Sequence, residues 1–279
     1  MDKAATPASA NAAQIKADSE RYLKRKAGFN RCLTIYGRKP VLEALQQPGV
    51  RCERLHLAQS NKSALILDQI CALARQSNAD IREHDRASLS RISRNAREDQ
   101  GVAADISLQS YRELDDDLLA SIPATGKTFI AADGLTNPQN LGMLIRSAAA
   151  GRCDGIIIPR KRGCDLSPLV IKASAGAVFR APILRCERLE DSLTRLRAQN
   201  WRVAILDAAG DASVFAPLDS RSRVFVLGSE TDGISKEVSA LADERLQVPM
   251  MNGIESLNVA VTAALVAYRN DIGRPDPDA

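Results

Sequence analysis

The chain has 279 residues, 45% hydrophobic and 26% charged, with a formal net charge of +4. That length favours one large or two ordinary domains, and the composition excludes disordered, collagen-like and low-complexity chains. No apolar run reaches the roughly 18 to 20 residues of a bilayer-spanning helix, and the opening MDKAATPASANAAQIKADSE lacks the layout of a secretory leader. Six scattered cysteines and two histidines offer no zinc-ligand spacing. A cytoplasmic protein with reduced thiols, no metal and no membrane partner is therefore expected.

Residues 1–31 are rich in Ala, Ser, Lys and Arg, and Arg21, Lys24, Arg25, Lys26 and Arg31 occur without an intervening acid after Arg21, so this stretch is expected as a flexible basic arm. From Leu33 a small α/β module is expected over 32–107. Its strands are Leu33 to Tyr36, Arg54 to Ala58 and Val102 to Ile106, and its helices Pro40 to Gln47 and Ala64 to Gln76. The polar stretch 108–126, with Asp115 to Asp117, Pro123 and Gly126, reads as a linker. A second domain over 127–272 follows, with a tail at 273–279. Its apolar runs Phe129 to Ala132, Gly155 to Ile158, Val203 to Leu206 and Val224 to Leu227 lack polar alternation, as strands covered on both faces require. Helical stretches at Leu141 to Ala150, Leu189 to Gln199 and Ser256 to Arg269 make this an α/β, parallel-sheet domain.

Several motifs lead nowhere. Gly126-Lys127-Thr128 imitates the end of a P-loop, but Ser121 stands where that motif needs glycine. No strand is followed by G-x-G-x-x-G, and no G-x-S-x-G elbow is present. His56 and His84 both lie in the small module and are expected as surface or packing residues.

In an open parallel sheet ligands sit beyond the carboxyl ends of the strands. Three segments carry polar groups and glycines there. Asp133 to Gly142 leads into a helix bearing Arg146, so Asn140, Gly142 and Arg146 form N-x-G-x-x-x-R, with Gly142 open to close approach by a backbone or ligand. Leu227 to Ser235 sets Gly228 and Gly233 around Glu230. Val248 to Ala260 brings Ser256 and Asn258 to the start of an apolar helix, where they are expected to be buried and therefore partnered.

In this order the segments NPQNLGMLIRSA, VLGSETDGIS and VPMMNGIESLNVAVTAAL resemble the three signature motifs of the SpoU (TrmH-like) class of SPOUT RNA 2′-O-ribose methyltransferases. Lys172-Ala173-Ser174-Ala175-Gly176-Ala177, Ile35 to Leu45 and Asp99 to Ala103 extend the resemblance to about residues 33–272. Thr231 and the Ala260–Thr262 arrangement depart from the usual pattern. The resemblance implies an S-adenosylmethionine-dependent enzyme with a C-terminal deep trefoil knot, which methylates a ribose 2′-hydroxyl. Its layout is closest to the guanosine 2′-O-methyltransferases of large-subunit ribosomal RNA, with transfer RNA as the alternative substrate. A non-catalytic RNA-binding or ribosome-assembly protein is the competing reading.

Carried over by motif, Asn140, Arg146, Glu230, Ser256 and Asn258 take the active-site positions, and Gly228, Gly233, Val248, Met250 and Leu257 the cofactor positions. The role of Arg146 stays open between base and stabiliser, since a guanidinium holds its proton above pH 12. The small module resembles ribosomal-protein-like RNA binders, with Arg38, Lys39, Arg91, Arg94 and Arg97 as RNA contacts. Homodimerisation is also implied.

Overall fold

The computed structural model describes residues 32–108 and 111–271. The basic arm and the tail lie outside them. The chain opens with β1 (Cys32–Tyr36), α1 (Arg38–Leu45), β2 (Val50–Ala58), α2 (Leu65–Gln76), β3 (Asp80–His84), α3 (Arg86–Ser93) and β4 (Val102–Leu108). These strands form a four-stranded sheet in the order β1-β4-β2-β3, antiparallel except between β2 and β3. The β3 and α3 elements were not anticipated, because the charged, half-exposed sequence Asp80 to His84 hides its strand period.

The stretch expected as a linker is structured. It contains β5 (Tyr111–Glu113), paired in parallel with a strand of the larger sheet, and α4 (Asp116–Ser121), capped by the Asp115 side chain accepting from the Leu118 amide at 2.9 Å. Its acids misled the reading: Asp115 is a helix cap, and Leu118 and Leu119 are buried beneath it.

The remaining elements are β6 (Thr128–Ala132), α5 (Pro138–Ala150), β7 (Gly155–Pro159), α6 (Pro168–Ala173), a 3₁₀ turn at Ala177–Phe179, β8 (Ile183–Cys186), α7 (Leu189–Ala198), β9 (Arg202–Leu206), β10 (Ala212–Ser213), β11 (Arg223–Leu227), α8 (Lys236–Ser239), β12 (Glu244–Gln247) and α9 (Val259–Tyr268). With β5 they build an eight-stranded, wholly parallel sheet in the order β10-β12-β9-β11-β6-β7-β8-β5. Both faces are covered. Leu189, Leu193 and Leu196 of α7 pack with α4 over Phe129, Ile157, Val203 and Val226, while α5 and α9 cover the other face through Leu141, Leu144, Ala263 and Val266. That second apolar layer continues through Val170 and Ile171 of α6 into Val41 of α1 and Ile35 of β1, joining the two sheets in one core.

The strand order decides where ligands can sit. From β6 the chain moves outward through β7 to β8, then returns to lay β9 and β11 on the other side, so β6 and β11 flank a topological switch point. Because β12, β9, β11 and β6 are successive neighbours, the loops at their carboxyl ends are neighbours too.

Candidate active site

The loop after β6 begins with Asp133, which is buried and accepts a hydrogen bond from the Ser235 amide at 2.7 Å, tying this loop to the one after β11. Asn137 caps α5 by accepting from the Gln139 amide at 2.9 Å, and Pro138 follows in the first turn, where a missing N–H costs nothing. Asn140 is thereby fixed on the first turn of α5, almost fully buried. Gly142 solves a packing problem: a Cβ there would stand 2.5 Å from the Ala173 Cβ and 2.7 Å from the Val170 carbonyl oxygen. Its close approach is to the backbone of α6.

After β11 the chain pinches. The Ser229 and Gly233 backbones exchange hydrogen bonds of 3.1 and 3.0 Å, and Gly233 has φ +65°, a conformation that favours glycine. A Cβ on Gly228 would lie 2.3 Å from the Gly233 carbonyl carbon, so only glycine fits that side of the pinch. Glu230 projects from the loop and joins the other two segments. Its Oε2 accepts from Asn140 Nδ2 at 2.9 Å and its Oε1 from Asn258 Nδ2 at 2.7 Å. Asn258 also caps α9, accepting from the Ala260 amide at 2.9 Å. One carboxylate therefore clasps side chains from all three strand-end segments, each bond charge-assisted.

The burial expected of Ser256 and Asn258 is not observed. Both are exposed, because α9 begins at Val259 and the preceding residues form an open loop.

Beside the clasp lies a cavity of about 350 Å³. All five residues assigned to the cofactor by sequence line it: Gly228, Gly233, Val248, Met250 and Leu257. Glu230 and Ser256 line it as well. Arg146 does not; it stands exposed on α5, and among the described residues it has no carboxylate partner. The structure thus unites Asn140, Glu230 and Asn258, sets Ser256 at the cavity and leaves Arg146 outside its lining.

Sequence reasoning missed Asp207 and Glu255, which bring two further carboxylates to the lining. Asp207 carried a usable signal, since it directly follows an apolar strand run and so occupies a carboxyl-end position. It accepts from Arg245 at 3.2 Å.

Of the proposed RNA contacts, Arg38 spends its guanidinium on the Gln100 carbonyl at 3.2 Å and on Asn61 at 3.4 Å, while Lys39, Arg91 and Arg97 are exposed. Arg94 reaches across to Asp165, in the loop between β7 and α6, at 3.6 Å. Asn95 donates to the Tyr36 hydroxyl at 3.2 Å, which draws the loop after α3 toward the start of α1.

Residues 127–268 match the model of the SpoU rRNA methylase family, and residues 34–112 match that of RNA 2′-O ribose methyltransferase substrate binding. The chain belongs to the SpoU family of RNA methyltransferases. It is 34% identical over 233 residues to an uncharacterised tRNA/rRNA methyltransferase of Mycobacterium ulcerans, covering 84% of this chain and 74% of that one. The fold is shared with two solved proteins. The SpoU methyltransferase AviRb of Streptomyces viridochromogenes, in complex with S-adenosylmethionine, superimposes with a TM-score of 0.64 at 21% identity, over 88% of this chain and 92% of that one. An rRNA methyltransferase of Sinorhizobium meliloti, also bound to S-adenosylmethionine, gives 0.61 at 24% identity, over 91% and 92%. S-adenosylmethionine is the usual cofactor of SpoU methyltransferases. No helix among the described residues is long and apolar enough to cross a membrane.

Proposed function

We propose that this chain transfers the methyl group of S-adenosylmethionine to a ribose 2′-hydroxyl of large-subunit ribosomal RNA. The observation that carries this reading is the Asn140–Glu230–Asn258 clasp at the edge of a cavity lined by every residue assigned to the cofactor. The cavity suits the cofactor chemically: backbone at the Gly228–Gly233 pinch for hydrogen bonding, and Leu227, Val248, Met250 and Leu257 as apolar walls, within the size range of small-molecule sites. When bound, the cofactor supplies an electrophilic methyl group on a sulfonium.

The protein's own task is to orient the ribose and to favour loss of a proton from a weak acid. The clasp fixes the loops that present the cavity. The Arg146 guanidinium holds a substrate phosphate and stabilises the developing alkoxide. It reaches a cavity in a second copy: Met143, one turn from Arg146 on α5, is an exposed large hydrophobic residue, as are Val261 and Tyr268 on the packed helix α9. Such a surface fits a homodimer. The reading includes a trefoil knot, supported by β12 lying between β10 and β9 and by Arg269 at the end of α9 donating to the carbonyls of Val214 and Ala216, both at 2.9 Å. It also places the chain in the cytoplasm, with six free thiols.

Incubation with radiolabelled S-adenosylmethionine and either unmodified large-subunit ribosomal RNA or bulk transfer RNA, followed by nucleoside mass analysis, tests the proposal. A 2′-O-methylated nucleoside from the ribosomal RNA alone is expected, and label in transfer RNA replaces the substrate. Arg146→Ala should abolish transfer while retaining cofactor affinity, and near-normal turnover would overturn its role.

A further inference from the structure

Three stretches marked out in the sequence take no part in the cofactor cavity: Tyr36 to Pro40, Asp99 to Gly101, and Lys172 at the start of K-A-S-A-G-A. The fold brings them together. A second cavity, about 470 Å³, lies at the seam between the sheets, with Tyr36, Lys39, Glu43 and Gln100 on the small-module side and Leu169 and Lys172 of α6 on the other. The two cavities share no lining residue. The seam cavity touches one face of α6, and Gly142 of α5 packs on the same helix.

We propose that this seam cavity binds an unpaired nucleotide of the substrate RNA, distinct from the nucleotide that is methylated. The inference rests on the RNA methyltransferase reading and deepens it. Lys39 and Lys172 are exposed on opposite walls, and neither has a carboxylate partner among the described residues. An ammonium that is not neutralised by its own protein is a phosphate ligand. The Tyr36 ring is held by the bond from Asn95 and forms part of the wall, while Leu169, 48% exposed, supplies an apolar surface across from the small module. An aromatic face opposed by an aliphatic one is how proteins seat a splayed-out base.

Of the three further polar groups in the lining, Glu98 accepts from Asn95 at 3.0 Å, and two remain for the base edge. Glu43 is an acceptor with no ion-pair partner among the described residues. Gln100 spends its side-chain oxygen on the Arg38 amide at 3.2 Å, which leaves its NH₂ to donate. Cations for a phosphate, stacking surfaces for a base and paired donor and acceptor for its edge are together the requirements of a single nucleotide. At the same place Gln100 is held at φ +49°, a conformation rarely populated by a residue with a side chain. Such strain persists where the surroundings fix a ligand-contacting segment.

The test uses the full chain with unmodified large-subunit ribosomal RNA. Ultraviolet cross-linking followed by peptide mapping should place a nucleotide adduct on the Tyr36–Lys39 segment or on Lys172. Adducts confined to other peptides overturn the proposal. In parallel, Leu169→Trp fills the cavity, and Lys39→Ala with Lys172→Ala removes its cations. Each is expected to raise KM for RNA about ten-fold, with kcat at saturating RNA, thermal midpoint and S-adenosylmethionine affinity close to wild type. An unchanged KM for RNA in folded, cofactor-binding variants overturns the seam site while leaving the methyltransferase reading intact. A wild-type protein that methylates no RNA removes that reading, and the cross-links then decide the seam site on their own: an adduct there keeps it as an RNA site, and none removes it too.

Discussion

In the eight-stranded sheet, β7 and β11 are buried at every position, and the groups assigned to chemistry sit in the loops beyond the strands. In the four-stranded sheet β3 is largely exposed, and β2 and β4 bury a cluster of polar side chains within the sheet itself, as the large sheet does only at single positions such as Arg223 of β11, paired with Glu244 of β12. Asp105, 3% exposed, accepts from Thr34 at 2.7 Å, meets Arg54 at 3.1 Å and lies 3.3 Å from His56, which in turn is 2.9 Å from His84. Both histidines are thus occupied with structure. Polar groups spent on one another inside a sheet hold it together; polar groups left at strand ends are free to meet a ligand.

The largest expected effect lies in the large sheet. Gly228→Ala drives a methyl group into the Gly233 backbone. Opening the pinch should weaken S-adenosylmethionine binding by about a hundred-fold, equivalent to ~3 kcal/mol of overpacking. Calorimetric titration measures it, and an affinity within a few-fold of wild type would remove the pinch from the cofactor site.

Asp105→Asn is its counterpart in the small sheet. Loss of the charge that faces Arg54, His56 and Thr34 should cost about 2 to 3 kcal/mol. Hydrogen exchange resolved by segment should show the loss in β1, β2 and β4, with β6 and β11 unchanged. Equal loss in both sheets would show that they unfold as one unit.

A smaller effect is expected for Glu230→Gln, which leaves one acceptor for two asparagine donors. A drop of about ten-fold in kcat, with cofactor affinity nearly intact, follows from losing one hydrogen bond to a charged group at an exposed site. Unaltered kcat would reduce the clasp to loop decoration.

Acid should separate the sheets as well. Burial pushes the Asp105 carboxyl up, but the hydrogen bonds from His56 and Thr34 and the charge of Arg54 outweigh it and hold the group below its usual range. Burial, with His56 and Arg82 nearby, also pushes His84 below its ordinary value. Below about pH 6.5 the unfolded chain takes up the His84 proton more readily than the folded one, so stability declines. The contribution of Asp105 is complete above about pH 4 and is lost as pH falls through its lowered folded value. Exchange protection in the small sheet should therefore fall in two steps, one beginning near pH 6.5 and ahead of the large sheet, the other below about pH 4. The smallest effect is that of Arg94→Ala: its ion pair with Asp165 is exposed on both sides, and thermal melts should move by no more than about 0.5 kcal/mol.

Legibility in the sequence divides along the same line. Strands β6, β7, β9 and β11 were readable because burial on both faces leaves unbroken apolar runs. The charged β3 and the three-residue β5 were not, since neither carries enough period to be seen. Glu230, Asn140 and Asn258 were identifiable from their segments, yet their meeting depends on β11 lying between β9 and β6, a fact of strand order that no local pattern encodes. Ser256 and Asn258 were misplaced as buried because the apolar run after them masks the loop in which they sit. The convergence of Tyr36, Gln100 and Lys172 was invisible for the same reason as the clasp: it is made by tertiary packing.

The clasp has a consequence for how the protein comes into being. Its asparagines are 118 residues apart, and Glu230 lies 90 residues after the first. Contacts of such separation form slowly, and on a ribosome they cannot form until the later partner has left the exit tunnel. A growing chain therefore completes its parallel sheet, with β12 ending at Gln247, just before it possesses the cavity, which closes when the next segment, from Val248 to Thr262, docks. Nascent fragments ending before that segment should be compact but unable to retain cofactor, so that competence switches on once, when that segment emerges.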